Sequence, residues 1–256
     1  NSASDNGNML QIVFVAIFIG IGLLLIPKED AKPLLSVFRS LNELVIRLIE
    51  VIMLMAPIGV FGLIADAITS IATGGAGNIV SLLGALGFYC LTVVIGLAIM
   101  VFFVYPTFMS IFTPISIGNY FKAIAPAQLV AFSTSSSGGT LPVTMEVSEK
   151  NLGVSEEVSS FVLPLGATIN MDGTALYQSV AAVFIAQVLG IGLALTQQLN
   201  IVLLATLASV GAAAVPSAGT VMLVVILESI GVPSAGIALI WAADRPLDML
   251  RTTNNV

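Results

Sequence analysis

Near the end of the chain, Asp244, Asp248, Arg251, Thr252 and Asn255 recur at spacings of four, three, one and three, which sets them along one face of a helix. An Arg can fork onto a carboxylate, an Asp one turn earlier can hold an ammonium group, and an Asn can donate to a second carboxylate. Together these groups complement the zwitterion of an acidic amino acid. The plain alternative is an i,i+3 salt bridge between Asp248 and Arg251. A second set lies in the run Gly166-Ala167-Thr168-Ile169-Asn170-Met171-Asp172-Gly173-Thr174. Asn170 and Asp172 cannot share a helical face, but in an unwound turn their side chains and the freed carbonyls can converge on a hard cation, and such oxygen ligands suit Na+.

These groups sit in a chain built for lipid. Of 256 residues, 57% are hydrophobic and 9% charged, against about a quarter charged in soluble domains. Mean hydropathy is +1.08, and uncharged runs such as 79–105 exceed the ~20 residues that span a bilayer core. The composition indicates an all-α polytopic membrane protein. An acid at mid-membrane costs about 3 kcal/mol on insertion scales unless paired or solvated, so Asp172 is a candidate functional group. The net charge of −6 comes without a basic tract, which excludes nucleic-acid binding. One cysteine, Cys90, and no histidine exclude disulfide scaffolds, Cys/His zinc sites and His-based triads. The sequence opens at Asn1 without a signal-peptide layout and closes inside a motif, so it reads as a fragment.

The elements that must position the polar groups follow from the apolar pattern. Residues 9–26 make one span, with an exit loop holding Lys28, Glu29, Asp30 and Lys32. A mixed helix follows, with Arg39, Glu43, Arg47 and Glu50 as a polar stripe and Leu34, Phe38, Leu41, Leu44 and Leu48 as an apolar face. Its apolar continuation, 51–65, carries Pro57 as a kink, and a Gly-rich loop at 73–78 leads to a second span at 79–105 that stops at Pro106. The few basic loops put Lys28, Lys32, Lys122 and Lys150 on the cytoplasmic side. Glu228 reads as an interface residue. The tract 133–142 is too polar and flexible for a lipid-facing helix, so it is buried in protein or lines a cavity. A similar tract recurs at 209–216. Pro142 precedes Asn170 by 28 positions and Pro216 precedes Asp244 by the same 28. Two re-entrant hairpins, each followed by a helix with intramembrane polar groups, account for this layout, and paired interruptions point to a transporter site near the midplane. Serines at a half-helix N-terminus would favour an anion.

Four ordered motifs now carry a resemblance. The tip Ser135-Ser136-Ser137, the run Asn170-Met171-Asp172-Gly173-Thr174, the tip Val215-Pro216-Ser217-Ala218-Gly219, and Asp248-x-x-Arg251-Thr252-x-x-Asn255 resemble the dicarboxylate/amino acid:cation symporters, the glutamate transporter homologues. The resemblance covers the chain from Met9 to its end. It implies a homotrimer in which a scaffold, here 9–70, holds a sliding transport domain, here 79–256. The latter would comprise hairpin 1 (117–150), an interrupted helix (156–190), hairpin 2 (197–231) and a last helix (234–256). It further implies that Arg251 holds the substrate's side-chain carboxylate and Asp248 its amino group. Asn255 and Ser137 would take the main-chain carboxylate, with Thr174, Thr252, Ser136, Val215 and Gly219 also in the substrate site. One sodium ion would use Gly166, Asn170 and Asn255, a second Thr168, Ser209, Val210 and Ala212, and a third Asn170 and Asp172 with groups on a helix outside this sequence. No organic cofactor is implied.

The sequence departs from the family pattern in one respect that bears on ions. Relatives carry a further arginine at the position of Ser135 or of Met249, and this chain has neither, so Arg245, one turn before Met249, is expected to supply that charge. Function then reads as Na+-coupled uptake of aspartate or glutamate across the cell membrane, in bacteria the inner membrane. Proton-coupled glutamate or C4-dicarboxylate symport is the alternative, and an ion channel is a further one. An intramembrane aspartyl protease pairing Asp172 with Asp244 or Asp248 is disfavoured, because a water-activating dyad does not need Arg251 beside it. A neutral substrate would leave the Arg251 guanidinium unpaired, and a dicarboxylate would leave Asp248 without an ammonium.

Overall fold

A computed structural model describes residues 9–53, 58 and 76–256. The described residues are helical, with no strand among them. They fall into two compact units, residues 1–59 and 60–256.

In the first unit, α1 (Met9–Leu25) and α2 (Lys28–Met53) are joined by Ile26 and Pro27 alone. The exit loop expected over Lys28–Lys32 is therefore the first turn of α2. Glu29 and Asp30 favour it by facing the positive end of the helix dipole, and the amides of Asp30 and Ala31 donate to the Pro27 carbonyl. Apolar side chains on both helices face outward, Leu24 and Leu25 being 85% and 80% exposed. That suits lipid or protein cover rather than water. The expected kink at Pro57 and residues 73–75 of the Gly-rich loop lie outside the described residues, and Gly77 and Asn78 belong to the next helix.

The second unit opens with α3 (Ala76–Ile99), a π-helical turn (Met100–Val104) and α4 (Tyr105–Phe112) in one continuous run. The span expected to end at Pro106 instead runs through it. Pro106 lacks an N–H, and in an α-helix its ring would press on the carbonyl four residues back. The wider π turn relieves this, and the Tyr105 amide closes it on the Met100 carbonyl. From Val80 to Phe112 this run is 33 residues long and apolar enough to cross a membrane, and Phe88, Phe102 and Phe103 are 65–74% exposed along it.

Next come two helix–turn–helix pairs, each followed by further helix. The first pair is α5 (Ile117–Thr134) and α6 (Ser137–Leu152), and the chain then continues as α7 (Glu156–Ile169) and α8 (Asp172–Val188). Ala123, Ala127 and Ala131 make a buried small-residue stripe on α5, which lets α6 approach closely. Most of the tract 133–142 is helical. Only Ser135 and Ser136 form the turn, Ser135 taking left-handed φ 54° and the Ser136 hydroxyl capping α6 by accepting from the Gly139 amide at 3.0 Å. The second pair is α9 (Leu195–Val210) and α10 (Ala218–Ser229), with a longer tip at 211–217. A short 3₁₀ turn (Ser234–Ile237) leads into α11 (Ala238–Asn255).

Helix α8 is the axis of the core. Tyr177, Ala181 and Ile185 on α8 are wholly buried, against Val93 of α3, Ile201 of α9, Leu223 and Ile226 of α10, and Ile240 of α11. Gly236 is required at the 3₁₀ turn, since a Cβ there would lie 2.3 Å from Ile185 Cγ2.

Candidate functional site

Three segments converge on one face of α11: the two tips and the first turn of α8. Asp244, Asp248, Arg251 and Thr252 are all at least 95% buried, so the helical face read from spacing points inward. Arg251, 1% exposed, is the centre. Its Nε donates to Asp248 Oδ1 at 2.8 Å, its Nη1 to Asp244 Oδ1 at 3.2 Å, and its guanidinium lies 4.0 Å over the Tyr177 ring. The Tyr177 and Thr220 hydroxyls also donate to Asp244 Oδ1, at 2.9 and 2.6 Å. Two carboxylates and one guanidinium leave the cluster with one net negative charge. The i,i+3 pair between Asp248 and Arg251, weighed as an alternative from sequence, is formed.

The tips close over this cluster. The Ser217 amide donates to Asp248 Oδ2 at 2.8 Å, with Ser217 in the left-handed region at φ 61°. The Ser136 hydroxyl and the Gly138 amide both donate to the Ala214 carbonyl, at 2.8 and 3.1 Å, tying the first tip to the second. Asn255 bridges to α8, donating to Thr174 Oγ1 at 3.0 Å and accepting from the Gly173 amide at 2.9 Å. Ser137, Thr174, Val215, Gly219, Asp248, Arg251, Thr252 and Asn255, all expected at a substrate site, line one cavity of ≈ 20 Å³. That is room for about one water. Ser136 borders it through the tip contact. Gly219 is needed here, since a Cβ would meet Thr174 Cγ2 at 2.7 Å.

A second, larger cavity of ≈ 440 Å³ lies at the break between α7 and α8, lined among others by Tyr105, Asn170, Asp172, Ser209, Val210 and Asn254. The break leaves Asn170 and Met171 between the helices, and the Asn170 amide still donates to the Gly166 carbonyl at 2.8 Å. Asp172 finds partners that the sequence reading missed. The sequence reading placed further cation ligands on a helix outside this sequence; within it, Tyr105 of α4 donates its hydroxyl to Asp172 Oδ2. Asn254 Nδ2 donates to the Tyr105 oxygen at 2.9 Å and to Asp172 Oδ1 at 3.4 Å. The Gly173 amide adds a third donor at 3.0 Å.

The expected cation ligands are only partly assembled. Asn170, Asp172, Ser209, Val210 and Asn255 line this one cavity. Thr168 is exposed on α7, its hydroxyl turned to the Leu165 carbonyl, Ala212 is buried in the second tip, and the Gly166 carbonyl accepts from the Asn170 amide; none of the three lines the cavity. Arg245 lies exposed on α11, outside the buried cluster, because Asp244 and Asp248 one turn apart occupy the inward face and its neighbour position points elsewhere. Glu228 is exposed as well. Tyr177, Gln178 and Thr220 were not singled out from sequence. Tyr177 and Gln178 do follow Thr174 by one turn on α8, a polar spacing that could have been read. Gln178 is wholly buried and donates to the Gly219 carbonyl at 2.9 Å.

The site is a buried guanidinium shared by two acids, under two helical tips in an apolar helical unit. The chain belongs to the Sodium:dicarboxylate symporter family, whose profile matches residues 1–256. Among similar proteins, Excitatory amino acid transporter 1 of Ambystoma tigrinum is 45% identical over 229 residues, covering 90% of this chain and 41% of the relative. Excitatory amino acid transporter 1 of Homo sapiens is 44% identical over the same length and shares. Excitatory amino acid transporter 2 of Mus musculus is 42% identical over 254 residues, 98% of this chain and 43% of the relative. The chain thus spans about two fifths of the length of the curated relatives it matches. The family and these relatives are transporters, not enzymes. Asp172 engages Tyr105 and Asn254, while Asp244 and Asp248 engage Arg251.

Proposed function

We propose that the full-length protein is a multi-pass cell-membrane symporter, in bacteria of the inner membrane, that carries aspartate or glutamate with Na+. In this reading it is a homotrimer, with residues 9–70 in the scaffold. Residues 79–256 form a transport domain that moves as an elevator, and both helix pairs are re-entrant hairpins. The observation that carries the reading is the Arg251–Asp248 pair under the two tips. A zwitterionic acid can enter by exchange: its side-chain carboxylate replaces Asp248 on Arg251 while its ammonium replaces Arg251 on Asp248. One ion pair is exchanged for two and neither Arg251 nor Asp248 is left unpaired, so the exchange avoids the ~3–5 kcal/mol penalty of leaving a buried charge alone. Asp244 keeps its bonds to Tyr177, Thr220 and Arg251 throughout and holds the guanidinium in place. Asn255 and Ser137 then offer donors to the main-chain carboxylate, with Thr174 and Thr252 beside it.

A cavity of ≈ 20 Å³ is far below the ~300 Å³ of an ordinary ligand pocket, so a substrate needs the second tip to swing away. That motion breaks the Ser217–Asp248 bond and the Ser136–Ala214 and Gly138–Ala214 bonds, and binding remakes the roof around the substrate. A neutral amino acid cannot satisfy Arg251, and a C4-dicarboxylate cannot satisfy Asp248.

Sodium fits the second cavity by the chemistry of its donors: the Asp172 carboxylate and the oxygen groups at the α7–α8 break. Asp172, Asn170 and Asn255 would hold ions there, with Ser209 and Val210 also lining the cavity, and the ion would supply positive charge against Asp172. Thr168 and Ala212 would join only after rearrangement.

The test is uptake of labelled L-aspartate into proteoliposomes containing the full-length protein, under an inward Na+ gradient, an inward H+ gradient or neither, with Arg251→Ala as control. Uptake driven by Na+ and lost in the variant supports the reading. Uptake driven only by H+ overturns the sodium assignment, and succinate uptake without aspartate uptake overturns the role of Asp248.

A further inference from the structure

The Asp172 carboxylate is held by three donors from three places in the chain: the Tyr105 hydroxyl on Oδ2, and the Gly173 amide and Asn254 Nδ2 on Oδ1. A carboxylate offers about four lone-pair sites, so most of its accepting capacity is committed. The direction of the network is fixed. Asn254 donates to Tyr105 at 2.9 Å, and the phenol proton goes to Asp172, the nearer and charged acceptor, rather than to the Asn254 carbonyl at 3.3 Å; an amide oxygen turned toward the carboxylate would repel it. Asn254 is 6% exposed, and its Oδ1 has no partner among the described residues. Tyr105 is aimed by the π-helical turn immediately before it, whose extra residue rephases the helix, and by Pro106 beyond it. π-helical turns recur at functional sites.

We infer that Tyr105 and Asn254 are positioning residues that set the cation affinity of Asp172: their hydrogen bonds hold the same carboxylate lone pairs that a cation must take. The inference rests on Asp172 as a cation site and adds to it a built-in competitor. A carboxylate with most of its lone pairs held by donors keeps its charge compensated inside the bundle, so a cation binds in competition with them. The affinity is thereby kept weak enough for release.

The experiment is the thermal melt of the full-length protein in detergent across a Na+ series, with choline holding ionic strength constant. Its readout is the Na+ concentration at half-maximal stabilisation. Tyr105→Phe removes the donor to Oδ2, and the midpoint is expected to fall by about tenfold, the scale of a hydrogen bond to a charged group. Asn254→Leu is expected to shift it the same way by less, and stands as the test if Tyr105→Phe does not melt cooperatively. A midpoint that stays fixed while the melting temperature drops at every Na+ concentration makes the pair merely structural. A midpoint that rises makes Tyr105 an ion ligand rather than a competitor. Either result overturns the inference. Asp172→Asn separates the premise from the inference: loss of the Na+ response in that variant supports Asp172 as the cation site, and a wild-type response overturns that reading whatever Tyr105→Phe does.

Discussion

Arg251→Gln is the perturbation with the most to lose. The guanidinium is 1% exposed and stands between two carboxylates, each 3% exposed, so the wild-type cluster carries one net negative charge. Glutamine keeps much of the side-chain volume but leaves Asp244 and Asp248 both buried and uncompensated, a cluster of charge minus two. Removing one partner of a buried ion pair costs about 3–5 kcal/mol, and the Tyr177 ring loses its cation as well. At about 2–4 °C per kcal/mol for a domain of this size, the melting temperature of the full-length protein should fall by roughly 10 °C. Adding Asp244→Asn brings the charge back to minus one, and the amide oxygen still accepts from Tyr177 and Thr220. The double variant should therefore recover about half the loss or more, a coupling that a double-mutant cycle reads directly. The assay is a fluorescence-detected melt of the two single variants, the double variant and the parent. Aspartate uptake should be lost whenever Arg251 is absent. A single variant that melts within about 2 °C of the parent, or a double variant no more stable than Arg251→Gln, would refute the assignment of a shared counterion.

Further outcomes follow from the packing around this cluster. Gly219→Ala forces its methyl against Thr174 Cγ2, at 2.7 Å before relaxation, and Thr174 is held by Asn255. The strain of about 1–3 kcal/mol should weaken aspartate binding at least several-fold in a titration. Ser136→Ala removes both the cap of α6 and the bond to Ala214, worth about 1–2 kcal/mol together, and hydrogen exchange at the Gly138 amide should speed up because the tips part more often. Gly236→Ala drives a methyl to 2.3 Å from Ile185 Cγ2 in the core and should lower expression and melting temperature more than Ser136→Ala does. Arg245→Ala, on the exposed side of α11, should leave aspartate affinity at its parent value. A tenfold loss there would put Arg245 back into the site.

Apolar runs, proline and glycine punctuation, and the polar spacing of the last helix were enough to specify a helical membrane protein with a charged inward face on α11. Each is a local property: side-chain period fixes which residues share a face, and an uncharged run of sufficient length has no stable place in water. The interruption at Asn170-Met171 was legible for the same reason, because glycine, asparagine and aspartate side by side offer the backbone alternatives to the helix. Local reading failed where a helix met a special position. The Lys28 turn was taken for a loop, although two acids at a helix start stabilise it. Pro106 was taken for a stop, although a π turn let the helix pass.

Pairing was decided by tertiary structure alone. Asp172 meets Tyr105 across 67 positions and Asn254 across 82, and Arg251 meets Thr220 across 31. No periodicity within a helix encodes contacts between helices that approach only once the core around Tyr177, Ala181 and Ile185 has closed. Asn254 and Asn255 show this most simply. The two are adjacent and chemically identical, and a helix turns them about 100° apart. Asn254 therefore reaches Tyr105 and Asp172 while Asn255 reaches Thr174 and the Gly173 amide at the border of both cavities, and only the packing of α11 against α3, α5 and α8 determines which does which.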